Sequence, residues 1–372
     1  MAIAIEHHGN GTATLVAPAQ SEPTSVPPVA FEHEELVVRR GERSGVFCIV
    51  AVHSTALGPA LGGLRMWCYP EVVDGARDAL RLASGMTYKA AAAGLDLGGG
   101  KGVICTPPEG LRGERRRAAL LDFGDVVESL DGRYITAEDV GIGPADLVVI
   151  RERTSHLTGL PTDKGGTGDP SPFTAIGVEA ALRACARSRW AEEGLAGRTA
   201  CVVGLGHVGE RLARRLADAG CELVLSDIDR GKGALADELG ASWAEPDDAM
   251  TTECELLAPC AMGGAITVEN APLLRCDVVC GSANNQLTDD SLAQTLADRE
   301  ILYAPDFIAN AGGLIHVYKE IKGYSERRAM SLAQGIERTL AWVLVVASQR
   351  GATPLATARE LAGERLGAAL RD

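Results

Sequence analysis

Thr199-Ala200-Cys201-Val202-Val203-Gly204-Leu205-Gly206-His207-Val208-Gly209 sets the architecture of the second half of the chain. Its first five residues have the composition of a short buried strand, and the glycines lead into a helix expected over 210–219. A second strand is expected over Glu222–Ser226 and ends at Asp227, 227 − 209 = 18 residues after the last glycine. A strand, a glycine turn, a helix and then an acid at the end of the next strand form a dinucleotide-binding unit. In that reading Gly204 makes the tight turn. Gly206 lets a pyrophosphate approach the N–H groups of His207 and Val208 at the helix start, and Gly209 lets helix and strand pack closely. Asp227 accepts hydrogen bonds from the adenosine ribose and repels a 2′-phosphate, which favours NAD over NADP. Asp229 is an alternative for that role, and Arg230 leaves some NADP tolerance open. The competing reading is a glycine-rich βα turn with no ligand. The flanking strand, helix and acid argue against it.

Around this unit the chain divides. Pro161 to Pro172 is almost pure loop, after which Ser171 reads as an N-cap with Pro172 in the first helical position, opening a helix to about Ser188. Strand and helix then alternate, as in a parallel doubly wound sheet. Before the loop, strands are expected at Val46–His53, Gly102–Cys105 and Tyr134–Ala137. Helices are expected over 74–83 and 115–130, and Glu138-Asp139 leads into a turn at Gly141, Gly143 and Pro144. The expected organisation is a mobile N-terminal extension (1–30), an α/β substrate domain (31–165) and a Rossmann-type NAD domain (166–344). The C-terminal helix, 345–372, is expected to pack back on the substrate domain.

Two lysines stand out in the first half. Lys89 closes Gly85-Met86-Thr87-Tyr88-Lys89, and Lys101 lies in Gly98-Gly99-Gly100-Lys101-Gly102, with Asp96 the only charge between them. Lysine usually belongs on a solvated surface. Two cations forced together in a partly dry site repel, which lowers the pKa of at least one and makes it a candidate base or nucleophile. A lysine in a flexible glycine loop is the plain alternative. A P-loop is excluded, because Leu95 and Gly102 occupy the places where that motif needs Gly and Ser or Thr.

Composition narrows the function. The 372 residues carry a net charge of −14, which argues against a nucleic-acid binder, and 46% apolar residues suffice for real cores. The 10 cysteines form no CxxC pair and read as free thiols in a reducing cytoplasm. Cys276 and Cys280 have a spacing that ligation allows, but nothing completes a metal set, so no metal is expected. No apolar run is long enough to cross a membrane, and the first thirty residues lack the features of an export signal.

With lysines and NAD unit in view, the chain resembles the amino-acid dehydrogenase superfamily of glutamate, leucine, valine and phenylalanine dehydrogenases, and most closely its short hydrophobic-substrate branch. The matching stretches include Gly58 to Met66, Gly85 to Lys89, Leu97 to Lys101, and Arg133 to Gly141. In the second half they include Gly168 to Pro172, Ala258 to Ala261, Gly281 to Leu287, Tyr303 to Asp306, and Asn310 to Gly313. The resemblance implies a substrate domain and an NAD domain with a cleft between them, and reversible oxidation of an L-amino acid to 2-oxo acid, ammonia and NADH. It implies that Lys89 binds the substrate carboxylate, that Lys101 is the catalytic lysine and that Asp139 moves protons to and from the nitrogen. A turn-capping aspartate is the alternative for Asp139. The resemblance places Gly63 and Met86 with the substrate, and Thr174, Cys260 and Ala261 with the cofactor. Asn284 is assigned to cofactor and Asn285 to substrate, although the residues leave that division open and plain turn asparagines remain an alternative. His207 departs from the Asn or Lys often found at its place.

By the same resemblance Leu61, Ala137, Leu314 and Val317 line the side-chain pocket. All are apolar, which disfavours glutamate. Valine, leucine or isoleucine is therefore expected first and an aromatic substrate, phenylalanine- or tryptophan-type, second. One methylene discriminates by only about 1–3 kcal/mol, so breadth is expected. Two other readings remain: a non-catalytic NAD-binding protein, and a hydroxy-acid dehydrogenase. The first would have lost a lysine or the aspartate, and the second has no use for two lysines. The family implies a homo-oligomer, a dimer or larger.

Overall fold

The computed structural model describes residues 32–192 and 194–369 and, as backbone, the strands Ala4–His8 and Thr12–Val16. The chain divides into two compact units, residues 1–168 with 365–372, and residues 169–364.

The first unit runs β1 (Ala4–His8), β2 (Thr12–Val16), β3 (Glu35–Arg40), β4 (Phe47–Ser54), β5 (Ala60–Trp67), α1 (Val72–Ala92), β6 (Gly98–Cys105), α2 (Gly113–Glu128), β7 (Tyr134–Glu138) and α3 (Pro144–Ile150). Its sheet has the order β1-β2-β3-β4-β6-β5-β7. The pairs from β1 through β4 to β6 are antiparallel, while β5 lies parallel to both β6 and β7. Within the stretch 1–30, β1 and β2 pair antiparallel at the edge of this sheet. The other residues of that stretch lie outside the described residues.

Two expectations change here. The helix expected over 74–83 continues through Gly85 to Ala92, because Ala90 to Ala92 have high helix propensity and Gly85 alone does not stop it. Lys89 therefore stands on a helix. The glycine run before Lys101 is a central strand, β6, and not a loop. Packing explains the glycines. A Cβ on Gly99 would stand 2.1 Å from the backbone nitrogen of Thr87 in α1, and one on Gly102 would stand 2.5 Å from the Phe123 ring on the opposite face. Ile49, Ala51 and Val103 meet Ala76, Ala79 and Ala83 of α1 on one side of the sheet. Val50, Leu64 and Ile104 meet Leu120, Phe123, Leu147 and Ile150 of α2 and α3 on the other.

The second unit contains α4 (Ser171–Trp190), β8 (Thr199–Val203), α5 (His207–Asp218), β9 (Glu222–Ser226), α6 (Gly233–Leu239), β10 (Ser242–Trp243), α7 (Pro246–Ala249), β11 (Leu256–Pro259), β12 (Val278–Val279), α8 (Leu292–Asp298), β13 (Leu302–Tyr303), α9 (Asp306–Ala309), α10 (Gly312–Lys322), α11 (Glu326–Gln334), α12 (Ile336–Arg350) and α13 (Pro354–Ala369). Six parallel strands take the order β10-β9-β8-β11-β12-β13. The strand order reverses between β8 and β11, which makes the C-terminal end of β8 a topological switch point. Ser171 is not the N-cap of α4 but its first residue, and Asp169 Oδ1 accepts its N–H at 2.9 Å. The C-terminal stretch holds two helices, α12 and α13, separated where Gly351 takes a φ of +62°. Only the chain from Arg365 groups with the first unit, where Arg365 donates to Ala91 O and Asp96, both at 3.0 Å.

Candidate active site

In the first unit the site is built across three neighbouring strands. Parallel register aligns Leu61 with Gly99 and Leu64 with Gly102, so Gly63 of β5 lies level with Lys101 of β6. On its other side Gly63 pairs with Ala137 of β7. Asp139 follows the end of β7, two residues beyond Ala137. The Lys101 side chain reaches across β5 at the position that has no side chain, and its Nζ stands 2.6 Å from Asp139 Oδ2. The space is fully used. A Cβ on Gly63 would lie 2.4 Å from Glu138 O and 2.8 Å from Asp139 Cβ.

The electrostatics follow from burial. Lys101 is only 5% exposed. Desolvation pushes its ammonium below the usual lysine range, against the opposing pull of Asp139, and Arg65 adds to the lowering. The repulsion between Lys89 and Lys101 expected as the cause is thus replaced by burial, with Arg65 as the contributing cation. For Asp139 burial works upward, but Lys101 and Arg65 outweigh it and hold the carboxyl below its ordinary value. Arg65 Nε donates to the same Oδ2 at 3.0 Å, and its Nη1 donates to Asp78 Oδ2 at 2.8 Å. The second oxygen of Asp139, Oδ1, accepts no hydrogen bond from the described residues. Asp139 is therefore engaged by its side chain and is not merely a turn residue.

Lys89 and Met86 are both half-buried in the last two turns of α1. Thr87 between them is fully buried, and His53 Nδ1 meets its Oγ1 at 2.8 Å, tying this turn to β4. Burial, chiefly, pushes the His53 imidazole down to about 4, so it is neutral at pH 7. Leu61 is 2% exposed and lies on the same unit, as does half-buried Ala137. Leu314 and Val317 belong to α10 of the second unit, the first buried and the second half-buried.

The second unit carries the glycine turn. Gly204 has a φ of +98°, and a Cβ there would stand 2.6 Å from Ala261 Cβ. A Cβ on Gly209 would meet Gly204 O at 1.9 Å, whereas one on Gly206 would meet nothing within 4 Å, which leaves open space in front of the helix N-terminus. The α5 helix starts at His207, earlier than expected, so His207 and Val208 point their N–H groups along its axis into that space. Asp227 Oδ2 accepts the Leu205 N–H at 2.6 Å and Oδ1 accepts that of Asp229 at 2.8 Å. Asp229 caps its own turn, where its Oδ1 accepts the Gly231 N–H at 2.9 Å. The glycine turn fits a dinucleotide. Cys260, whose N–H donates to Val203 O at 2.7 Å, and Ala261 border it.

Near the ends of β12 and β13, Asn310 Nδ2 donates to Asn284 Oδ1 at 2.8 Å. Asn285 holds a φ of +50°, a conformation that asparagine tolerates. Thr174 is buried in the first turn of α4, with Gly313 packed so closely that a Cβ there would lie 2.7 Å from Thr174 Oγ1. Arg65 is the functional candidate that motif reading passed over. Its signal was the strand alternation that places 61, 63 and 65 on one face.

A doubly wound sheet with this turn, in a chain whose other unit buries a lysine–carboxylate pair, defines a dinucleotide-dependent oxidoreductase. Residues 29–156 match the family described as Glu/Leu/Phe/Val dehydrogenase, dimerisation domain, and residues 240–341 match Glutamate/Leucine/Phenylalanine/Valine dehydrogenase. Residues 177–259 match the NAD-binding domain of D-isomer specific 2-hydroxyacid dehydrogenases, as the shared cofactor unit predicts. Leucine dehydrogenase of Thermoactinomyces intermedius is 41% identical over 90% of this chain and 91% of its own. Valine dehydrogenase of Streptomyces virginiae is 40% identical over 90% and 94%. The crystal structure of L-tryptophan dehydrogenase from Nostoc punctiforme aligns with a TM-score of 0.78 at 36% identity, covering 92% of this chain and 97% of that one. The chain belongs to the Glu/Leu/Phe/Val dehydrogenase family. Its substrate domain, its parallel NAD domain and its class as an NAD-dependent amino-acid dehydrogenase stand as expected.

Proposed function

We propose that the protein catalyses the reversible oxidative deamination of a hydrophobic L-amino acid, valine, leucine or isoleucine before aromatic substrates. The products are the 2-oxo acid, ammonia and NADH. The observation that carries this reading is the buried Lys101 ammonium, lowered by desolvation and held 2.6 Å from Asp139.

Lys89 binds the α-carboxylate and fixes Cα. A bound NAD would supply the hydride acceptor; once the substrate ammonium has lost a proton through Asp139 to solvent, loss of hydride from Cα leaves an iminium on the substrate. Lys101, neutral at that point, takes a proton from the water that attacks the iminium carbon, giving a carbinolamine. The proton that Lys101 has gained passes through Asp139 to the carbinolamine nitrogen. Lys101, neutral again, takes the hydroxyl proton, and breaking the C–N bond releases ammonia and the 2-oxo acid, after which Lys101 loses that proton to solvent. The free Oδ1 of Asp139 is the oxygen that meets the substrate nitrogen. Gly63, Leu61, Met86 and Ala137 are the substrate-side residues proposed for the first unit; Asn285, Leu314 and Val317 are those proposed for the second. Gly204, Gly206, His207, Val208, Gly209 and Asp227 hold the pyrophosphate and ribose, with Thr174, Cys260, Ala261 and Asn284 around the nicotinamide half. A homo-oligomer, dimer or larger, is supported by the dimerisation domain matched at 29–156. Cytoplasmic residence is supported by ten free cysteines, and no described helix is long and apolar enough to cross a membrane.

The test is NADH formation over a panel of L-amino acids at alkaline pH. Branched-chain turnover above that with phenylalanine and tryptophan supports the reading, and the reverse order replaces it with an aromatic enzyme. Lys101→Ala should abolish turnover and leave NADH binding intact. Lost cofactor affinity would mean that the lysine has another role.

A further inference from the structure

Asp139 has two cationic partners on one oxygen, and the mechanism uses only one of them. Arg65 extends from β5, two residues beyond Gly63 on the same face of the sheet, and donates to the Oδ2 that Lys101 also reaches. Arg65 is itself held from behind. Asp78 of α1 takes its Nη1 at 2.8 Å, and the same Asp78 oxygen accepts the Tyr69 hydroxyl at 2.7 Å. The guanidinium is a rigid fork, so two anchored donors fix its plane and therefore the carboxylate it meets. Half-buried side chains on both partners leave these contacts less screened than surface pairs.

The geometry points to Arg65 as a positioning residue for amino-acid oxidation. Held by Asp78 and Tyr69, it locks Asp139 through Oδ2, keeps Oδ1 turned to the substrate nitrogen, and biases Lys101 toward its neutral form. This inference rests on the deamination chemistry proposed above. The groups around Lys101 are Asp139 after β7, Arg65 on β5 and Asp78 on α1, with Lys89 about three turns further along that helix. On β4 the paired residue is Ala51, which does not titrate. Among them Arg65 is the cation that lowers Lys101 and helps to lower Asp139. Its removal therefore raises both, and the amine form needed for water activation is reached only at higher pH. A neighbouring charge moves a pKa by about 1–3 units, so the neutral fraction of Lys101 at a fixed pH should fall by about tenfold or more.

The experiment measures kcat and KM against pH, with the preferred amino acid of the panel and saturating NAD, for the full-length wild type, Arg65→Gln, Arg65→Lys and Asp78→Asn. For Arg65→Gln the expected result is a kcat about tenfold or more below wild type at neutral pH, the rising limb of kcat displaced to higher pH, and KM changed far less. Arg65→Lys, which restores the charge, should bring the limb back toward the wild-type position. A merely structural role would lower kcat at every pH without moving the limb, and that result overturns the inference. If Arg65→Gln does not fold, Asp78→Asn decides, because it loosens Arg65 and leaves the charge in place. Its limb should move to lower pH, because the Asp78 carboxylate raises Lys101, while the kcat plateau falls as Arg65 loses the anchor that fixes its plane. A plateau kept at the wild-type level overturns the inference. A wild type that oxidises no amino acid would instead refute the reading on which the inference rests.

Discussion

Gly63→Ala tests the construction of the site with a single methyl group. The added Cβ would stand 2.4 Å from Glu138 O and 2.8 Å from Asp139 Cβ. A relaxed carbon–oxygen contact needs about 3.3–3.6 Å, so the end of β7 must retreat from β5 by about 1 Å. Neither neighbour is the free end of a side chain. Both belong to the segment that carries Asp139, so the carboxylate moves with it and the 2.6 Å contact to Lys101 opens. A displacement of that size can cost about 10²-fold in rate, and overpacking costs about 1–3 kcal/mol of stability. The assay pairs steady-state kcat with urea unfolding, and Gly363→Ala serves as control. A Cβ at that exposed position of α13 would meet nothing within 4 Å, so alanine there should stabilise by about 0.5–1 kcal/mol with unchanged kcat. A Gly63→Ala enzyme within about threefold of wild-type kcat would refute the argument, because a shift of Asp139 could not then matter to the chemistry.

Two other outcomes follow from particular contacts. Asp227→Ala removes the acceptor of the Leu205 and Asp229 N–H groups along with the ribose partner. NADH affinity should fall by about tenfold or more, and the preference over NADPH should shrink, as a fluorescence titration with both cofactors would report. Asp122 is 4% exposed and accepts bonds from Arg43 Nη1 at 2.9 Å, Ser44 N at 2.8 Å and Ser44 Oγ at 2.6 Å, pinning the β3–β4 turn to α2. Asp122→Ala should cost about 2–4 kcal/mol in urea unfolding, with kcat of the folded enzyme unchanged.

The glycine turn was legible because everything it needs is local. Strand, turn, helix and acid lie within one short segment, and each glycine answers a contact inside it. The Lys101–Asp139 pair was legible only through family motifs. Its members are 38 residues apart, one on β6 and the other just past the end of β7, strands that are not neighbours, so no spacing rule brings them together. The glycine run of β6 misled for the opposite reason. Glycine usually punctuates chains, and only the helix on one face and the Phe123 ring on the other show why a central strand needs it here. Arg65 was within reach. Once Leu61 and Gly63 were given to the substrate, alternation put Arg65 on the same face, but its partners on α1 and after β7 are fixed by tertiary structure alone.

The charges of this cluster also explain why burial suits the lysine. With Lys101 protonated, Lys101 and Arg65 balance Asp139 and Asp78, and Arg81 meets Asp78 from the exposed side, where solvent screens it. When Lys101 is neutral, one cation faces two carboxylates and the cluster carries one net negative charge. That is the state in which an iminium, the cation formed when hydride leaves Cα, is most strongly stabilised in a site poor in water. The same state supplies the free amine that accepts a proton from the attacking water. Desolvation of Lys101 therefore favours both requirements at once, and neither needs repulsion from Lys89. In the proposed cycle the buried lysine is therefore the one that changes its proton at each turnover.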